Sequence, residues 1–481
     1  MSENNETKFL LFGGERRETS QTFEVRSPFS GNLIALVSSA GQDEIEEAIA
    51  AAQTAAAEMR ELPRFEVAVG LNRIAAGIKT RQAEFARTIA LESAKPLTAA
   101  RGEVERAVST FEIAAAEARI FAGEVVPVDA QEIGRGRFAW TERLPRGVVF
   151  GITPFNFPIN LVAHKVAPAL AAKNAIIIKP SPRTPVTSLL LGEVFLESGL
   201  PKSALQVINM DVKLIDGVLR DERIGMISFT GSADVGWKIR EKAPRKAVAL
   251  ELGGNAPVII DETLRDNETA FERSLERSVM GAFSYAGQIC ISAQRFYVHE
   301  QIFERWTHEF VRRAENLKTG DPMNDATELS VMIDEAAARR AESWINEAID
   351  NGAKLLCGGR RRGALLEATV LTNTEPEMRV ASEEVFAPVA VVEKFTHFDD
   401  AIKMANQSKY ALQAGVFTTD LARARRAGNK LEFGGVLIND VPTFRVDNMP
   451  YGGVKWSGFG REGVRYAMEE MCETRVIVIN S

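Results

Sequence analysis

The sequence predicts an α/β protein in which a doubly wound parallel sheet is followed by a second α/β domain. Between Arg146 and Asp261, short apolar runs rich in β-branched residues alternate with amphipathic helical stretches, and a looser version of this alternation follows. Apolar strands that alternate with helices form parallel sheets, which the helices cover on both faces. A chain of 481 residues is long enough for two large domains or three smaller ones.

Five strands and three helices are predicted in the first of these regions. The strands are Gly147–Ile152, Ala175–Lys179, Leu205–Asn209, Met226–Thr230 and Val248–Leu252, and the helices are Ile159–Lys173, Pro185–Ser198 and Ala233–Lys242. Gly199 and Pro201 follow the second helix, and such a glycine and proline mark a helix end. Helical crossovers of this size favour a nucleotide-binding sheet.

Three other stretches have clear periods. From Asp43 to about Ala122, apolar residues recur every three or four positions, which predicts two or three long helices. From Gln131 to Pro145 they recur at even spacing, which predicts a projecting β segment suited to oligomer contacts. The tail Thr474–Asn480 also alternates and predicts an edge strand that a partner subunit would cover.

The second domain is predicted after Asp261, where helices and strands alternate again. The predicted helices are Glu268–Tyr285, Gln301–Leu317, Glu335–Asn351, Phe398–Ser408 and Leu421–Leu431, and the predicted strands include Arg295–His299, Pro388–Phe395, Ala414–Thr418 and Gly435–Asn439. This pattern indicates a second α/β unit.

Composition and charge exclude several classes of protein. Hydrophobic residues make up 45% of the chain and charged residues 26%, which is typical of a globular protein and not of a disordered or fibrous one. The formal net charge is −7 without a long basic run, so we expect no nucleic-acid partner and no membrane surface as partner. The first seven residues lack the basic patch and apolar stretch of a secretory signal, which predicts a cytoplasmic protein.

Cysteine and histidine spacing gives no sign of a disulfide framework or a metal site. The three cysteines, Cys290, Cys357 and Cys472, are an odd number at wide spacing. The four histidines neither cluster nor show the spacing of a zinc motif, so no metal is expected. Each cysteine therefore has to be judged as a single thiol.

Two residues are candidates for covalent and acid–base chemistry. Cys290 lies between a predicted helix and a predicted strand, where a loop thiol can be exposed and oriented, although a buried structural thiol is the alternative. Glu251 lies inside an otherwise apolar strand ahead of two glycines. Partial burial at the end of a parallel sheet would raise its pKa and suit it to general-base work; the alternative is a strand-end carboxylate paired with Lys or Arg.

Three further segments follow predicted strands and could bind a ligand. Gly231 and Ser232 open a helix, where free amides can bind a pyrophosphate, although Ser232 could be a simple helix cap. Lys179 ends a strand and could reach a ribose or a phosphate, or be a surface lysine. Asn156 lies between prolines and could hold an oxyanion, or simply form a turn.

Several motifs in order along the chain carry a family resemblance. They are Pro154–Pro158, Phe229–Ser232, Leu250–Gly254, Gly287–Cys290, Glu383–Pro388 and Pro450–Gly458. With these motifs the sequence resembles the aldehyde dehydrogenase superfamily over nearly its whole length. The segments Asn156–Lys165 and Val441–Tyr451 are similar to the branch that contains lactaldehyde, phosphonoacetaldehyde and non-phosphorylating glyceraldehyde-3-phosphate dehydrogenases.

The resemblance implies a role for each matching residue. Cys290 would be the nucleophile, Glu251 the general base and Asn156 the oxyanion amide of an aldehyde oxidation that ends in hydrolysis of a thioester. The implied cofactor-binding residues are Pro154, Phe155, Lys179, Ser181, Gly231, Ser232, Leu252, Glu384 and Phe386. The alternatives are a relative that transfers the acyl group to coenzyme A, which would generally lack the match to Glu251, and a catalytically silent structural or binding protein.

The resemblance also implies the domain division and the ligands. A Rossmann-type NAD(P)-binding domain would span 1–122 and 146–252, a catalytic domain 253–450, and a small β bridging element 123–145 and 466–481, with a homodimer or homotetramer as the assembly. Pro182 replaces the glutamate that repels a 2′-phosphate in many NAD-dependent relatives, so NAD or NADP is expected, with a slight preference for NAD. Arg106, His164 and Arg445 are candidates to bind a short polar or anionic aldehyde; the alternatives for the two arginines are a helix carboxylate and a subunit contact.

Overall fold

The computed structural model describes residues 7–480. Residues 1–6, which carry most of the N-terminal segment used for the cytoplasmic prediction, lie outside this range, as does Ser481 at the end of the predicted bridging element. No helix among the described residues is long and apolar enough to cross a membrane.

The part of the chain before Arg146 forms short strands, long helices and one long strand. These are β1 Thr7–Lys8, β2 Leu10–Phe12, β3 Glu15–Arg17, β4 Gln21–Arg26, β5 Leu33–Ser39, α1 Gln42–Glu61, α2 Arg64–Thr80, α3 Gln82–Ser93, α4 Leu97–Ile120, β6 Val125–Val126 and β7 Arg137–Pro145. Four helices replace the two or three predicted, because Pro63 and Pro96 separate helices at positions where a proline cannot continue one. Before β7 the predicted β period is wrong, since residues 128–134 form two 3₁₀ turns.

The next part alternates strands and helices as predicted, with ends that differ by a few residues. The elements are β8 Val148–Ile152, α5 Asn160–Ala171, β9 Ala175–Lys179, α6 Pro185–Leu196, β10 Leu205–Val207, α7 Val212–Arg220, β11 Ile224–Thr230, α8 Ala233–Lys242 and β12 Ala247–Glu251. The helix α7 was not predicted from the sequence.

The remaining elements include the second α/β unit, the strand Gly458–Phe459 and the helix Val464–Glu470 that return to the first unit, and the tail strand. They are β13 Ala256–Ile260, α9 Glu268–Phe283, β14 Ala293–His299, α10 Phe303–Glu315, α11 Glu335–Asp350, β15 Lys354–Cys357, β16 Arg361–Arg362, β17 Leu365–Leu366, β18 Thr369–Thr372, α12 Arg379–Ser382, β19 Val389–Phe395, α13 Phe398–Asn406, β20 Tyr410–Ala411, β21 Gln413–Phe417, α14 Leu421–Lys430, β22 Gly435–Ile438, β23 Val454–Lys455, β24 Gly458–Phe459, α15 Val464–Glu470 and β25 Cys472–Asn480.

An eight-stranded sheet forms the first core and confirms the predicted doubly wound fold. Its order is β24-β12-β11-β8-β9-β10-β2-β3, and the five central strands are parallel. The register places Ile152 beside Lys179 and Thr230 beside Glu251. The carboxyl ends of these strands therefore lie at one edge of the sheet, where ligands bind in open α/β sheets.

A seven-stranded sheet forms the second core. Its order is β15-β18-β19-β14-β13-β21-β22, and all neighbours except β15 and β18 run parallel. Phe296, Trp306 and Phe310 pack against one another beneath it, with ring centroids 4.9 to 5.6 Å apart. The core of this unit is separate from the first one.

A third sheet joins distant parts of the chain in the order β25-β7-β6. The tail strand β25 is paired along its whole length with β7 and leaves Val476, Val478 and Ile479 roughly half exposed. The bridging range predicted from residue 466 starts inside helix α15, whose Val464 and Met468 pack in the first core. An apolar edge strand of this kind is a surface that folded proteins usually cover.

Two buried carboxylates fix the starts of α5 and α6, which follow the strand ends of the first sheet. Glu103 accepts hydrogen bonds from the backbone N–H groups of Ile159 (3.0 Å) and Asn160 (3.2 Å) and forms a buried ion pair with Lys95. Glu92 accepts from the N–H groups at the start of α6, and burial raises the pKa of Glu92 to about 8. The first N–H groups of a helix have no partner within the helix, and these carboxyl oxygens supply acceptors for them, so α3 and α4 hold the starts of α5 and α6 in place.

We predict that Glu103→Gln destabilises the protein by about 3–5 kcal/mol, because the change leaves the Lys95 ammonium buried without a counter-charge. Urea denaturation at fixed protein concentration measures the effect. Glu105→Gln, an exposed position on the same helix, is the matched control and should shift the midpoint little. Equal shifts for the two variants would contradict a structural role for the Lys95–Glu103 pair.

Candidate active site

Three segments that are far apart in the sequence meet at the carboxyl edge of the first sheet. The loop after β8 carries Asn156, Glu251 is the last residue of β12, and Cys290 lies in the loop before β14. Gly254 is in such close contact with the Cys290 carbonyl oxygen that a side chain there would collide with it. The glycine after the strand therefore allows the Cys290 loop to approach Glu251.

The Cys290 loop begins with an unusual turn. Tyr285, Ala286 and Gly287 have φ angles of 49°, 53° and 65°, which is left-handed backbone that residues other than glycine rarely adopt. Such strain persists only where the surroundings hold it and is common at functional sites. Cys290 itself is half-buried, and its Sγ lies 3.1 Å from the hydroxyl of Tyr451. Burial raises the pKa of the Cys290 thiol, and the hydrogen bond with Tyr451 opposes this rise.

Asn156 is buried beside the same loop. Its Nδ2 donates a hydrogen bond to the backbone carbonyl of Gln288 at 2.9 Å, and its Oδ1 has no hydrogen-bond partner among the described residues. The side chain of Gln288 in turn accepts from the Ile333 N–H at 2.9 Å. An amide has two N–H donors, so this anchoring leaves a second donor of Asn156 for another acceptor.

Glu251 is buried as the sequence led us to expect. Its Oε2 has no partner, and within residues 7–480 no lysine or arginine forms an ion pair with it. Burial and then the negative charge of Glu462 raise the pKa of Glu251 well above its usual range. A carboxylate with a raised pKa is a stronger base than an exposed one.

Glu462 is the centre of a charged cluster that the sequence did not predict. It accepts hydrogen bonds from Lys165 Nζ and from Arg445 Nη2, both at 3.1 Å, and Lys165 also donates to Ser228 at 3.0 Å. Burial alone would raise the pKa of Glu462, but the charges of Lys165 and Arg445 lower it to about 2. His164 and Lys165 inside a mainly apolar helix were a sequence signal of buried polar groups, although they do not identify the partners.

The three predicted substrate residues lie in and around the same cluster. Asp447 accepts hydrogen bonds from Arg106 at 2.8 Å and contacts His164 Nε2 at 3.0 Å. Burial, and then the charge of Arg445, lowers the pKa of His164 to about 4, so this histidine is neutral near pH 7. The carboxylate that pairs with Arg106 is that of Asp447, which lies in a loop and not on the helix of Arg106. Arg445 forms an ion pair with Glu462 of the same chain.

On the other side of the strand ends, polar groups without partners line the sheet edge. Lys179 is only 6% exposed, and its ammonium donates to the Pro180 carbonyl oxygen at 3.2 Å without a carboxylate partner in the described chain. Ser232 precedes α8, but its hydroxyl makes no capping hydrogen bond. The hydroxyls of Thr153 and Thr230 and the indole N–H of Trp237 are buried without partners.

These orphan groups fit a ligand rich in hydroxyl and phosphate oxygens. A buried ammonium without a counter-charge is costly, and burial lowers the pKa of Lys179. A bound ribose or phosphate would supply acceptors to Lys179 and to the free amides at the start of α8. Lys179 is buried and is therefore not a surface lysine, and Ser232 does not cap α8 through its hydroxyl.

The remaining predicted ligand residues lie between the two units. Glu384 accepts from the Gly254 N–H at 2.9 Å, and burial raises the pKa of Glu384 to about 7. Phe386 contacts Phe155 edge to face, with centroids 6.0 Å apart. The other members of the set are Pro154 and Gly231, which are half-buried, Leu252, which is buried, and Ser181, whose hydroxyl accepts from the Arg183 N–H.

Comparisons with known proteins identify relatives across the whole chain. The model of the Aldehyde dehydrogenase family matches residues 16–477. The 3-sulfolactaldehyde dehydrogenase of Priestia aryabhattai is 41% identical over 473 residues, which cover 98% of each chain.

Two solved structures share the fold. Aldehyde dehydrogenase 21 from Physcomitrella patens, in complex with the reaction product succinate, has a TM-score of 0.96 and 39% identity, covering 99% of this chain and 98% of that one. The glyceraldehyde-3-phosphate dehydrogenase GapN from Methanocaldococcus jannaschii, complexed with NADP, has a TM-score of 0.91 and 36% identity, covering 96% of this chain and all of that one.

Proposed function

The chain belongs to the aldehyde dehydrogenase family, and on that basis we propose that it oxidises a short anionic aldehyde to the carboxylic acid through Cys290. It is an NAD(P)-dependent oxidoreductase that acts on aldehydes. The observation that carries the proposal is that the thiol of Cys290, the buried carboxylate of Glu251 and the anchored amide of Asn156 lie together at the carboxyl edge of the first sheet. These are a nucleophile, a base and an oxyanion donor.

In the first half of the proposed reaction, the Cys290 thiolate adds to the aldehyde carbon and forms a C–S bond. The charge that develops on the carbonyl oxygen would be held by the second N–H of the Asn156 amide and by the Cys290 backbone N–H. The anchoring of Asn156 to Gln288 supports this role because it fixes the amide beside the thiol loop. When the oxyanion collapses, the C–H bond of the former aldehyde carbon breaks and the hydride leaves, and a bound nicotinamide would supply the acceptor for it. The acyl group remains on Cys290 as a thioester.

In the second half, Glu251 takes a proton from a water molecule that attacks the thioester, and the carboxylic acid and the thiolate are released. The raised pKa of Glu251 supports this role, because the carboxylate is then a stronger base. The fixed charge of Glu462, held by Lys165 and Arg445, contributes to that rise. A base at this position favours hydrolysis over transfer of the acyl group to coenzyme A.

We assign cofactor binding to the polar groups beside the carboxyl ends of the first sheet's strands. Lys179 would bind the adenosine ribose, Ser232 and the start of α8 the pyrophosphate, and Glu384 the nicotinamide ribose, with Ser181 and the other residues of that set lining the site. Arg183 forms an ion pair with Asp334 at 2.6 Å, so its charge is already compensated. Pro182 has no charge to repel a 2′-phosphate. Both cofactors should therefore bind, and we propose a small preference for NAD.

The charges around Arg445 support an anionic substrate. Arg106 pairs with Asp447, and Lys165 and Arg445 pair with Glu462, while His164 is neutral. Arg106 is also 32% exposed, so part of its guanidinium is available to a ligand. A guanidinium binds a carboxylate, sulfonate or phosphate oxygen pair well. The named relatives act on sulfolactaldehyde, yield succinate or act on glyceraldehyde-3-phosphate, which supports the same substrate class.

We also propose the domain division and a symmetric assembly. The first sheet with α1–α8 would form the NAD(P)-binding domain, the second sheet the catalytic domain, and β6, β7 and β25 the bridging element. The exposed apolar face and edge of β25 support a homodimer or homotetramer that covers them.

The first test of the proposal is Cys290→Ala. We expect complete loss of aldehyde oxidation with cofactor affinity kept, because the thiol forms the covalent bond and does not contact phosphate. Activity is measured from reduced-cofactor absorbance with a panel of aldehydes. Cys357→Ala and Cys472→Ala are the controls, since both thiols are buried in other sheet regions, at the end of β15 and at the start of β25. Normal activity in Cys290→Ala would remove this residue from the reaction.

Glu251→Gln separates the two halves of the reaction. A neutral amide cannot accept the proton from water, so the acyl group should accumulate on Cys290. Rapid mixing should show a burst of reduced cofactor followed by little turnover, and intact-protein mass spectrometry should detect the added acyl mass. If neither the burst nor the acyl-enzyme forms, Glu251 acts earlier than hydrolysis or has no catalytic role.

The anionic-substrate proposal predicts a selective effect of Arg106→Met. Loss of a charged hydrogen bond, worth about 1.5–3 kcal/mol, should reduce kcat/KM for an anionic short aldehyde by about 10- to 100-fold. The value for hexanal should change little. Arg101→Met is the matched control, because Arg101 lies on the same helix and pairs with Asp325 at the surface. A higher kcat/KM for hexanal than for the anionic aldehyde in the unmodified enzyme would contradict the proposal of an anionic substrate.

A further inference from the structure

Tyr451 contacts the proposed nucleophile directly. Its hydroxyl lies 3.1 Å from Cys290 Sγ, and this is the hydroxyl's only hydrogen bond within the described chain. The residue is 3% exposed. A buried phenol usually has a hydrogen-bond partner, and here that partner is a single sulfur atom.

The ring of Tyr451 is held on several sides. It packs with Ile291 and Leu412 in a small apolar cluster against which Cys290 also packs. Its backbone pairs with that of Glu462 through two hydrogen bonds of 3.0 and 2.7 Å. The guanidinium carbon of Arg445 lies 3.6 Å from the ring centroid. The hydroxyl is therefore positioned by contacts that do not depend on the thiol.

We propose that Tyr451 is a catalytic residue that donates its hydroxyl hydrogen bond to the Cys290 thiolate and so stabilises the reactive form. The inference rests on the proposed role of Cys290 as nucleophile. While the sulfur is a thiol, either atom can donate. A thiolate can only accept, so the phenol O–H then becomes the donor, and a hydrogen bond made to the charged form favours that form. The thiol proton passes to water in this ionisation, and Tyr451 keeps its own proton.

The surrounding charges agree with this role. Burial opposes the thiolate, and so do the carboxylates of Glu384 and Glu251, while Tyr451 and Arg445 favour it. Burial also raises the pKa of Tyr451 well above its usual range, so the phenol keeps its proton near neutral pH. Arg445 places its positive charge on the ring face, and this polarises the hydroxyl as a donor. Of the groups that favour the thiolate, only the phenol contacts the sulfur through a hydrogen bond.

The test is Tyr451→Phe in the full-length enzyme, which removes one oxygen and keeps the ring. The rate of alkylation of Cys290 by iodoacetamide is measured against pH, with the modified peptide identified by mass spectrometry. Loss of a hydrogen bond to a charged group should raise the apparent pKa of the Cys290 thiol by about one to two pH units. Below that pKa alkylation should slow by about 10- to 100-fold, and the two rates should converge at high pH.

Tyr297→Phe is the matched control. Tyr297 is also buried, and its hydroxyl accepts a hydrogen bond from Arg295 at 2.9 Å, away from the thiol. The control should leave the alkylation profile unchanged. An unchanged profile in Tyr451→Phe, or a rate lowered equally at every pH, would overturn the proposal, because the second result describes a purely steric role. The pH profile of kcat/KM for the aldehyde should move in the same direction as the alkylation profile.

The experiment also separates this inference from the proposed function. If Cys290→Ala oxidises aldehydes normally, the nucleophile assignment fails, and Tyr451 loses its catalytic role with it. If Cys290→Ala is inactive while Tyr451→Phe alkylates like the unmodified enzyme, the function stands and only the role of Tyr451 is refuted.

Discussion

The buried carboxylate of Glu462 ties together the elements that build the site. It binds the ammonium of Lys165 on α5 and the guanidinium of Arg445, and its backbone pairs with Tyr451. Taking three charges out of water is costly, so each of the two cations is stable only while it remains in contact with Glu462, and Glu462 is stable as an anion only while it keeps both cations. The position of α5 on the first sheet is thus coupled to the position of the Arg445–Tyr451 segment. Through Tyr451, that coupling extends to the Cys290 thiol.

The same cluster gives two neighbouring glutamates opposite properties. Glu462 touches two cations and stays ionised, whereas Glu251 touches none and is disfavoured as an anion by burial and by Glu462. Environments that push the pKa values of two acids apart assign them different roles. One carboxylate is a fixed counter-charge, and the other can exchange a proton.

The sequence predicted the parts of this structure that depend on local patterns. The strand Ala175–Lys179 was predicted with its observed ends, and the alternation of strands and helices placed Asn156, Lys179 and Glu251 at one sheet edge. The partners of Glu462 could not be predicted, because Lys165 and Glu462 are 297 residues apart and only the fold brings them together. The strands β1 to β3 were missed because strands of two or three residues are too short to show a period of two. The strands β4 and β5, with six and seven residues, are long enough to show one and were also missed.

The pairing of β7 with β25 has a consequence for the order of folding. The second core and much of the first lie between these two strands in the chain, so closing the sheet from the unfolded chain would require a very long loop. The entropic cost of that closure falls once the two cores have formed and bring the strands near each other. We therefore expect the three-stranded sheet to form late, after both cores. The apolar face of β25 would then be assembled only in the last stage of folding.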